Sequence, residues 1–519
     1  MLDALRRRLA RAIAPAPVPR ATARMYASAK NSRLTGGWYA PNNSADSELV
    51  SSLTQLRARS RSLMRDAPYA KRARAIVVNN VIGSGIGMQA RVMNDNRELR
   101  SRVNAAIEDT WAEWTVAENC HTGGKLDFAD LERQAMGQIF EAGEILIRKH
   151  YRQFGRSRIP LALELVEPEL LAEEFEAPNG ATVGFVRMGV EIDRFHRPIG
   201  FWLREQHPGE VRLKQPEPNR VYRVPADQIF HLYPVQRWPQ TRGEPWLHAV
   251  ARRLNDMDGY SEAEIVAARA AASYMGIIET PEPGVDIDAS GNPADFELEP
   301  GAVKHLMPGE KFTDFSPNRP NPNMDPFMRM MLREVAAGIG VSYESLSRDY
   351  SQSNYSSSRL ALLDDRDLWQ TLQQWFIRAF RAPLHRDFIQ QAVLSRALEA
   401  VSVTEYAANP RKFEAVSWKP RGWSWVDPTK EVAAYKEAIK GGLTTRTAVI
   451  AATANGRDIE DIDSERHEEL EAAGELGLAF DTDPAAAAPP AAVPAAPELP
   501  ADDPEEETAP ARVLPMRVA

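Results

Sequence analysis

The sequence predicts an α+β protein in which long helices accompany a smaller β-rich module. Several stretches carry apolar residues at three- or four-residue spacings, which is typical of amphipathic helices. Between about residues 140 and 235, short runs of strand-forming residues are separated by turn signals, which indicates strands. Later in the chain, turn-rich sequence with dipeptides such as Pro300-Gly301 separates two long helical patterns. That spacing favours a small β insert between two helices.

The composition excludes several classes of protein. The chain has 519 residues, 43% of them hydrophobic and 26% charged, which is ordinary for a soluble globular protein with room for several domains. A net charge of −9 argues against a strongly basic nucleic-acid clamp. The one cysteine, Cys120, excludes an intrachain disulfide and a cysteine-built zinc site. Without an apolar run of about 18 residues or a signal peptide, we expect a soluble intracellular protein and no membrane contact.

The N-terminal part is predicted to lead from a basic arm into helices. Residues 1–45 carry clustered arginines broken by prolines, which favours a mobile arm or a basic arm that touches an acidic partner or nucleic acid. Asp46–Ile82 is predicted to be helical and is followed by a glycine turn, Gly83–Gly87, and a strand, Met88–Val92. The turn is no dinucleotide-binding loop, because such a loop follows a strand. Further helices are predicted over Leu99–Trp114 and Asp127–Ala142.

The β-rich module is predicted from short runs bounded by turns. Strands are expected within Phe140–Tyr151 and over Leu161–Val166. A hairpin is expected between Val186–Asp193 and Gly200–Gln206, and Val221–Tyr233 should supply one or two strands around Pro225.

A helical hairpin organises the middle of the chain. Glu244–Ile278 is predicted as one helix about 50 Å long, followed by a turn-rich insert with short strands at Ala302–Met307 and Lys311–Phe315, and by a second helix, Pro326–Gly338. A helix longer than its own domain can bury its apolar stripe against copies of itself, and closed rings are the stable outcome. The stripe therefore predicts an interface between copies at Leu254, Met257, Ile265, Ala268 and Ala272.

The remainder is predicted to be helical apart from one polar loop, Tyr343–Ser358. A third long helix should start near Ser357 and be kinked or ended by Pro383. Three shorter helices are predicted at Asp427–Lys440, Thr445–Asn455 and Ile459–Leu476, and the Ala/Pro-rich, acidic sequence from Asp481 onward is expected to be disordered.

The sequence offers no convincing catalytic motif. It contains neither a Walker A sequence nor a GxSxG elbow. The carboxylates Glu164, Glu167 and Glu169 could in principle bind a metal, but a metal-dependent nuclease would need further acids beside them. Trp418, Trp423 and Trp425 are interpreted as packing residues. We therefore predict no enzyme and no catalytic, cofactor or metal residues.

Four phrases in one order resemble the lambda-type tailed-phage portal protein family. They are RSRSLMRDAPYAKRARAIVVNNVIGSGI (59–86), QTRGEPWLHAV (240–250), ELEPGAVKHLMPGEKF (297–312) and SQSNYSSSRLALL (351–363). The resemblance extends over most of residues 30–430.

The resemblance implies a portal-like fold and a role as the head-to-tail connector of a virion. Such proteins form a ring of about twelve copies around an open axis. The ring sits at one capsid vertex, and double-stranded DNA passes through it. Its expected partners are copies of itself, the terminase large subunit, the major capsid protein and head–tail joining proteins. Its expected locations are the virion and, during assembly, the host cytoplasm.

By position, the resemblance assigns a role to each segment. These are a flexible arm (1–45), a wing (46–243), stem helices (244–278 and 326–342), a clip (279–325), a tunnel loop (343–358), a kinked helix with wing return (359–429), a helical crown (430–480) and a disordered tail (481–519). The residues expected to face DNA are Arg348, Tyr350, Ser351, Gln352, Ser353, Asn354, Tyr355 and Arg359.

Two questions stay open at this point. Arg348 and Arg359 could contact passing phosphates, or they could pair with nearby acids, namely Glu344, Asp349, Asp364 and Asp365. The alternatives to a DNA conduit are a DNA-packaging or DNA-processing enzyme and a ring scaffold unrelated to DNA.

Overall fold

A single large hydrophobic core joins helices from both halves of the chain. The computed structural model describes residues 33, 40–175, 184–210, 220–273, 277–279, 311–313, 321–423, 428–453 and 459–478, with backbone alone at 270–273, 277–279, 311–313, 355 and 428–429. Most of the predicted basic arm, the predicted strand Ala302–Met307, Trp425 and the predicted disordered tail lie outside the described residues.

Five helices precede the main sheets. They are α1 (Ala45–Asp66), α2 (Pro68–Val81), α3 (Ser101–Trp114), α4 (Ala117–Cys120) and α5 (Phe128–Ala142). The predicted helical stretch Asp46–Ile82 is confirmed, as two helices that are divided at Ala67. Ala67 adopts an extended conformation with φ −91° and ψ 117°, because the ring of Pro68 disfavours a helical residue before it.

Two antiparallel sheets form the β-rich module. A separate strand, β1 (Gly87–Ala90), comes before this module. The strands of the two sheets are β2 (Ile145–His150), β3 (Ala162–Val166), β4 (Phe185–Arg187), β5 (Val190–Ile192), β6 (Pro198–Arg204), β7 (Val221–Pro225) and β8 (Ile229–Leu232). Their order is β3-β2-β8 in one sheet and β4-β5-β6-β7 in the other. The predicted hairpin is confirmed as β5 and β6. The first strand of that hairpin, predicted over Val186–Asp193, is divided into β4 and β5, since Gly189 turns the chain at φ +82°.

The helical hairpin consists of α6 (Ala251–Ser273) and α7 (Met324–Ile339), and β9 (Ile277–Glu279) pairs with β10 (Lys311–Thr313) in the insert. A short 3-10 turn, Trp246–Ala249, precedes α6. The helix is therefore later and shorter than predicted, about 35 Å over its 23 residues.

The C-terminal helices include one continuous passage through a proline. The elements are α8 (Tyr343–Ser347), α9 (Tyr355–Phe376), a π-helical turn (Ile377–Arg381), α10 (Ala382–Leu394), α11 (Val403–Ala408), α12 (Pro410–Phe413), β11 (Val416–Lys419), α13 (Pro428–Lys440), α14 (Arg446–Thr453) and α15 (Ile459–Leu476). Strand β11 pairs with β1. Pro383 does not end the helix, because the wider turn before it lets the Ala382 N–H reach the carbonyl of Ile377 and accommodates the missing donor.

An aromatic cluster lies at the centre of the large core. The ring centroid of Trp111 lies 4.8 Å from that of Phe388 and 5.3 Å from that of Phe128. The four-stranded sheet covers a smaller second core around Phe201. Cys120 is buried, and burial raises the pKa of its thiol to about 12, so the thiol is unreactive. No helix in the described ranges is long and apolar enough to cross a membrane.

Candidate channel loop and helical hairpin

The helical hairpin begins at a buried group of charged side chains, which we call the anchor cluster: Arg57, Glu144, Glu173, His231 and Arg242. Glu144, at the start of β2, is its centre. One carboxylate oxygen accepts from Arg57 Nη2 at 2.9 Å and from Arg242 Nε at 2.8 Å. The other oxygen accepts from the Gly243 N–H and pairs with His231 Nε2, both at 2.8 Å. The cluster thus ties α1, β2 and β8 to the residues that lead into α6.

The electrostatics of the anchor cluster favour an ionised Glu144. Burial alone would raise the pKa of this carboxyl, but the charges of Arg242 and Arg57 and the hydrogen bond from His231 hold it well below its usual range. Burial lowers the pKa of His231, so its neutral ring donates from Nε2. Glu173 lies 2.7 Å from Arg57 and 3.3 Å from Arg242, and two carboxylates therefore balance two guanidinium groups.

Two glycines let the backbone pass close to the anchor cluster. Gly143 ends α5 in the left-handed region with φ +91°, where glycine is favoured. A Cβ added to Gly243 would lie 2.2 Å from the carbonyl oxygen of Gly143. The chain entering the hairpin is thus in backbone contact with the end of α5, and no larger residue fits there.

The base of the hairpin packs within its own chain. Leu254 is 2% exposed and Met257 is 3% exposed, and both belong to the large core with Met331 and Val335 of α7. The expectation that Leu254 and Met257 lie at an interface between copies is therefore corrected. Their spacing is the same for an intrachain and an interchain partner, so the pattern could not separate the two.

The outer half of the hairpin is more exposed to solvent than its base. Tyr260 and Phe327 bring their ring centroids to 4.9 Å, and Asn321 Nδ2 donates to Glu264 at 2.8 Å. Beyond these contacts Ile265 is 50% exposed, and Ala268 is also exposed. Of the five predicted interface residues, these two are exposed in the single chain, while the Ala272 side chain lies outside the described part.

The predicted tunnel loop is shorter than expected, because α8 and the start of α9 occupy its ends. The turn between them, 348–354, is braced by Asp349. Its carboxylate accepts from the Tyr343 hydroxyl at 2.9 Å and from the Ser351 N–H and hydroxyl at 3.0 and 2.6 Å. These hydrogen bonds, with the nearby charge of Arg329, lower the pKa of Asp349 to about 2.

The remaining loop residues cap α9 or face solvent. Asn354 and Ser357 form a reciprocal capping box at the start of α9. Tyr350, Ser351 and Gln352 are exposed, Ser353 is half-buried with its hydroxyl donating to the Tyr350 carbonyl, and the Tyr355 side chain lies outside the described part.

The two loop arginines differ in their partners. Arg359 pairs with Glu431 of α13 at 3.5 Å, rather than with the acids near it in sequence. Arg348 is exposed with φ +58°, and no carboxylate lies within ion-pair distance of it among the described residues. Arg72 of α2 donates to the Ser345 carbonyl at 3.2 Å, and burial together with the positive charge of Arg348 lowers the pKa of Arg72. The exposed cation of the loop is therefore Arg348.

The candidate metal ligands are brought together only in part. Glu167 and Glu169 lie with His207 so that their ligand atoms are within 4.8 Å of one another. Glu164 is elsewhere, 2.7 Å from His150. Arg61 already pairs with Glu169 at 2.9 Å and with Glu167 at 3.5 Å, so a guanidinium supplies the positive charge that this cluster attracts.

The anchor cluster was not found from the sequence. Its members come from segments far apart in the chain, and charged residues in helices and strands usually indicate a solvated face. The available signal was Arg242-Gly243 inside the phrase QTRGEPWLHAV, at the entry to a long helix.

Comparison of the sequence with known proteins identifies one family. Residues 31–373 match the family described as phage portal protein, lambda family. The chain is 29% identical over 472 residues to a probable portal protein of Halomonas phage phiHAP-1, covering 88% of each chain. It is 22% identical to portal protein B of Escherichia phage lambda, covering 79% of this chain and 82% of that one. In a solved structure of the neck of an empty GTA particle, one chain aligns with 76% of this chain over 93% of its own length, with 14% identity and a TM-score of 0.41.

Proposed function

Because this chain belongs to the lambda family of phage portal proteins, we propose that it forms a ring of about twelve copies at one vertex of a capsid. Double-stranded DNA passes through the ring during packaging and ejection. The terminase large subunit docks on it first and head–tail joining proteins later, while the major capsid protein surrounds it. The ring guides DNA and catalyses no reaction.

The hairpin is the observation that supports a ring. Its base is held by the anchor cluster and by Leu254 and Met257 in the core, whereas Ile265 and Ala268 further out remain exposed. An apolar stripe that is rigidly held and half uncovered gains free energy when a copy of itself covers it. Repeating that contact around an axis closes a ring.

The family also assigns a role to each segment by its position in the chain. Residues 46–243 with the return of the chain after α9 form the wing, α6 and α7 form the stem, and 279–325 forms the clip that faces the motor. The loop 348–354 is the tunnel loop, and α13, α14 and α15 form the crown.

The chemistry of the loop suits sliding rather than gripping. Each phosphate neutralised by a cation adds salt-dependent affinity, and DNA must move along the channel. The loop offers hydroxyls, the exposed amide of Gln352 and the cation of Arg348, while the Asp349 carboxylate braces the turn and the Asn354 amide caps α9. The net charge of −9 per copy adds long-range repulsion.

The experiment replaces Tyr350 and Gln352 with glycine, so that residues 350–353 become Gly-Ser-Gly-Ser and the loop loses its exposed aromatic ring and exposed amide. Asp349 and the Asn354 cap stay in place, so both flanking helices should persist. Rings in negative-stain images should be unchanged, with about twelve subunits and a central hole, whereas packaged or retained DNA should fall. The matched control makes glycine and serine replacements of the same kind at Asp95–Arg97, an exposed turn before α3. This variant should package DNA normally. Particles without a central hole, or normal packaging by the loop variant, would refute the proposal.

A further inference from the structure

An exposed apolar corner lies at one end of the four-stranded sheet, on a surface that the proposed ring and channel do not use. It consists of Phe185, Phe195, Val235 and Trp238, each between 52% and 68% exposed. Large aromatic residues this exposed are uncommon on a protein surface and are typical of interaction sites. We call these four residues the apolar corner.

The backbone brings the apolar corner together. Phe185 on β4 is opposite Ile192 on β5. Ile192, Val235 and Trp238 line one cavity of about 250 Å³, together with His196 of the β5–β6 turn. The rings of His196 and Trp238 meet edge-on with centroids 5.9 Å apart. The cavity is large enough for one or two small side chains, such as prolines.

The rim of the apolar corner is positively charged. Arg194 lies over the Phe195 ring, 4.6 Å from its centroid. The nearby Asp193 accepts hydrogen bonds from the Phe195 and Arg197 N–H groups at 2.7 and 2.9 Å, and these bonds with the charges of both arginines lower its pKa. Two guanidinium groups against one carboxylate leave the rim with a net positive charge. Neither Arg194 nor Arg197 lies within ion-pair distance of a carboxylate among the described residues. A partner of this surface should therefore be apolar with acidic residues beside the apolar part.

The chain itself contains a segment with this chemistry. Pro494, Pro497 and Pro500 recur every three residues, and the acids Asp502, Asp503, Glu505, Glu506 and Glu507 follow directly. In a polyproline II conformation, with three residues per turn, the three prolines would lie along one edge. Aromatic-lined surfaces bind such edges, and the adjacent charges set the direction.

We propose that the apolar corner is the docking site for residues 494–507, supplied by the same copy or by a neighbouring one. The prolines occupy the cavity between the β5–β6 turn and Trp238, and the acids face Arg194 and Arg197. From Leu478, two residues beyond the end of α15, an extended segment would reach about 50 Å before Pro494. If this reach spans the distance to the apolar corner of the same copy or a neighbouring one, the tether gives a local concentration near the millimolar range, at which weak intrinsic binding is sufficient.

The test is a disulfide trap in the full-length chain. Val235→Cys and Leu499→Cys leave the three aromatic residues in place, and the buried Cys120 does not compete. The control is Leu443→Cys with Leu499→Cys, since Leu443 is 86% exposed and much closer to residue 499 along the chain. Under mild oxidation the 235–499 disulfide should form at least about tenfold faster than the 443–499 disulfide.

Further variants and a competing peptide test what binds the apolar corner. Arg194→Glu with Arg197→Glu should slow the 235–499 reaction several-fold, and so should an excess of a synthetic peptide of residues 490–508 but not its scrambled form. Equal rates for the two pairs, or no effect of charge reversal, would overturn the proposal. A 235–235 disulfide between two copies would overturn it in favour of a second copy of this surface. Ring assembly is read separately by microscopy, so its failure is distinguishable from failure of docking.

Discussion

Glu144 is the residue whose replacement tests the anchor cluster most directly. Glu144→Gln keeps the size of the side chain but removes the charge that balances Arg57 and Arg242, both almost fully buried. Breaking a buried ion pair from one side costs about 3–5 kcal/mol. We expect the free energy of unfolding to fall by that amount, measured by denaturant and thermal unfolding.

The matched control is Glu118→Gln. Glu118 lies 3.8 Å from Arg156, and both side chains are more than half exposed, so the loss should stay under about 1 kcal/mol. A similar loss in the two variants would show that the anchor cluster does not hold the base of the hairpin.

Glu132 predicts a pH dependence. It lies in the large core 2.6 Å from Arg381, and burial raises its pKa to about 7 from an ordinary 4.5, against the opposing charge of Arg381. The folded chain therefore holds this proton more tightly than the unfolded chain. The stability that it contributes is complete below about pH 4.5 and is lost as the pH rises through about 7.

The measurement is the free energy of unfolding between pH 5 and 8.5. Glu132→Gln is neutral throughout, so its decline over this range should be smaller than that of the parent, by on the order of 3 kcal/mol. Glu399→Gln, at an exposed pair with Arg158, should keep the parent slope. An unchanged slope for Glu132→Gln would contradict the assignment.

At the scale of single elements, the hairpin depends on one glycine and tolerates replacement of another. Gly243→Ala would place a Cβ 2.2 Å from the Gly143 carbonyl oxygen, whereas a Cβ on Gly259, inside α6, would meet nothing within 4 Å. We expect Gly243→Ala to destabilise the chain by more than about 3 kcal/mol. Gly259→Ala should stabilise it by about 0.5–1 kcal/mol, since alanine favours the helix interior.

Thermal unfolding of the two single variants checks this prediction. The opposite signs are the critical result, because the substitution is the same and both sites lie at or within one hairpin. Two changes of the same sign would mean that the close backbone contact at Gly143 does not constrain the entry to α6.

At the scale of the whole molecule, Ala268→Arg tests whether the outer half of α6 meets a copy of itself. Ala268 is exposed and makes no intrachain core contact, so the variant should fold normally. In a ring the larger, charged side chain would conflict with the neighbouring helix, and rings should be lost from negative-stain images and sedimentation profiles.

Ala407→Arg, at an exposed position on α11, supplies the control and should leave rings intact. Intact rings with Ala268→Arg would show that the small-residue stripe is no interface. The ring would then need another contact surface.

Much of the element order could be predicted because local patterns determine it. The helices, the β5–β6 hairpin and the polar loop between α8 and α9 follow from spacing, turn residues and caps. The break at Ala67 could also be predicted from Pro68, since the residue before a proline disfavours the helical conformation. The π-helical turn before Pro383 was not readable, because a proline inside a helical pattern indicates a kink or an end equally well.

The sequence by itself determined most of the order of helices, strands and turns, and the membership of this chain in a portal family, because both are encoded in short patterns and their order. Only the tertiary structure decided that Leu254 and Met257 belong to the chain's own core, that Arg359 pairs with Glu431, and that Arg57, Glu144 and Arg242 meet. An apolar or charged position specifies that it needs a partner, whereas the identity of that partner depends on how distant segments pack in three dimensions.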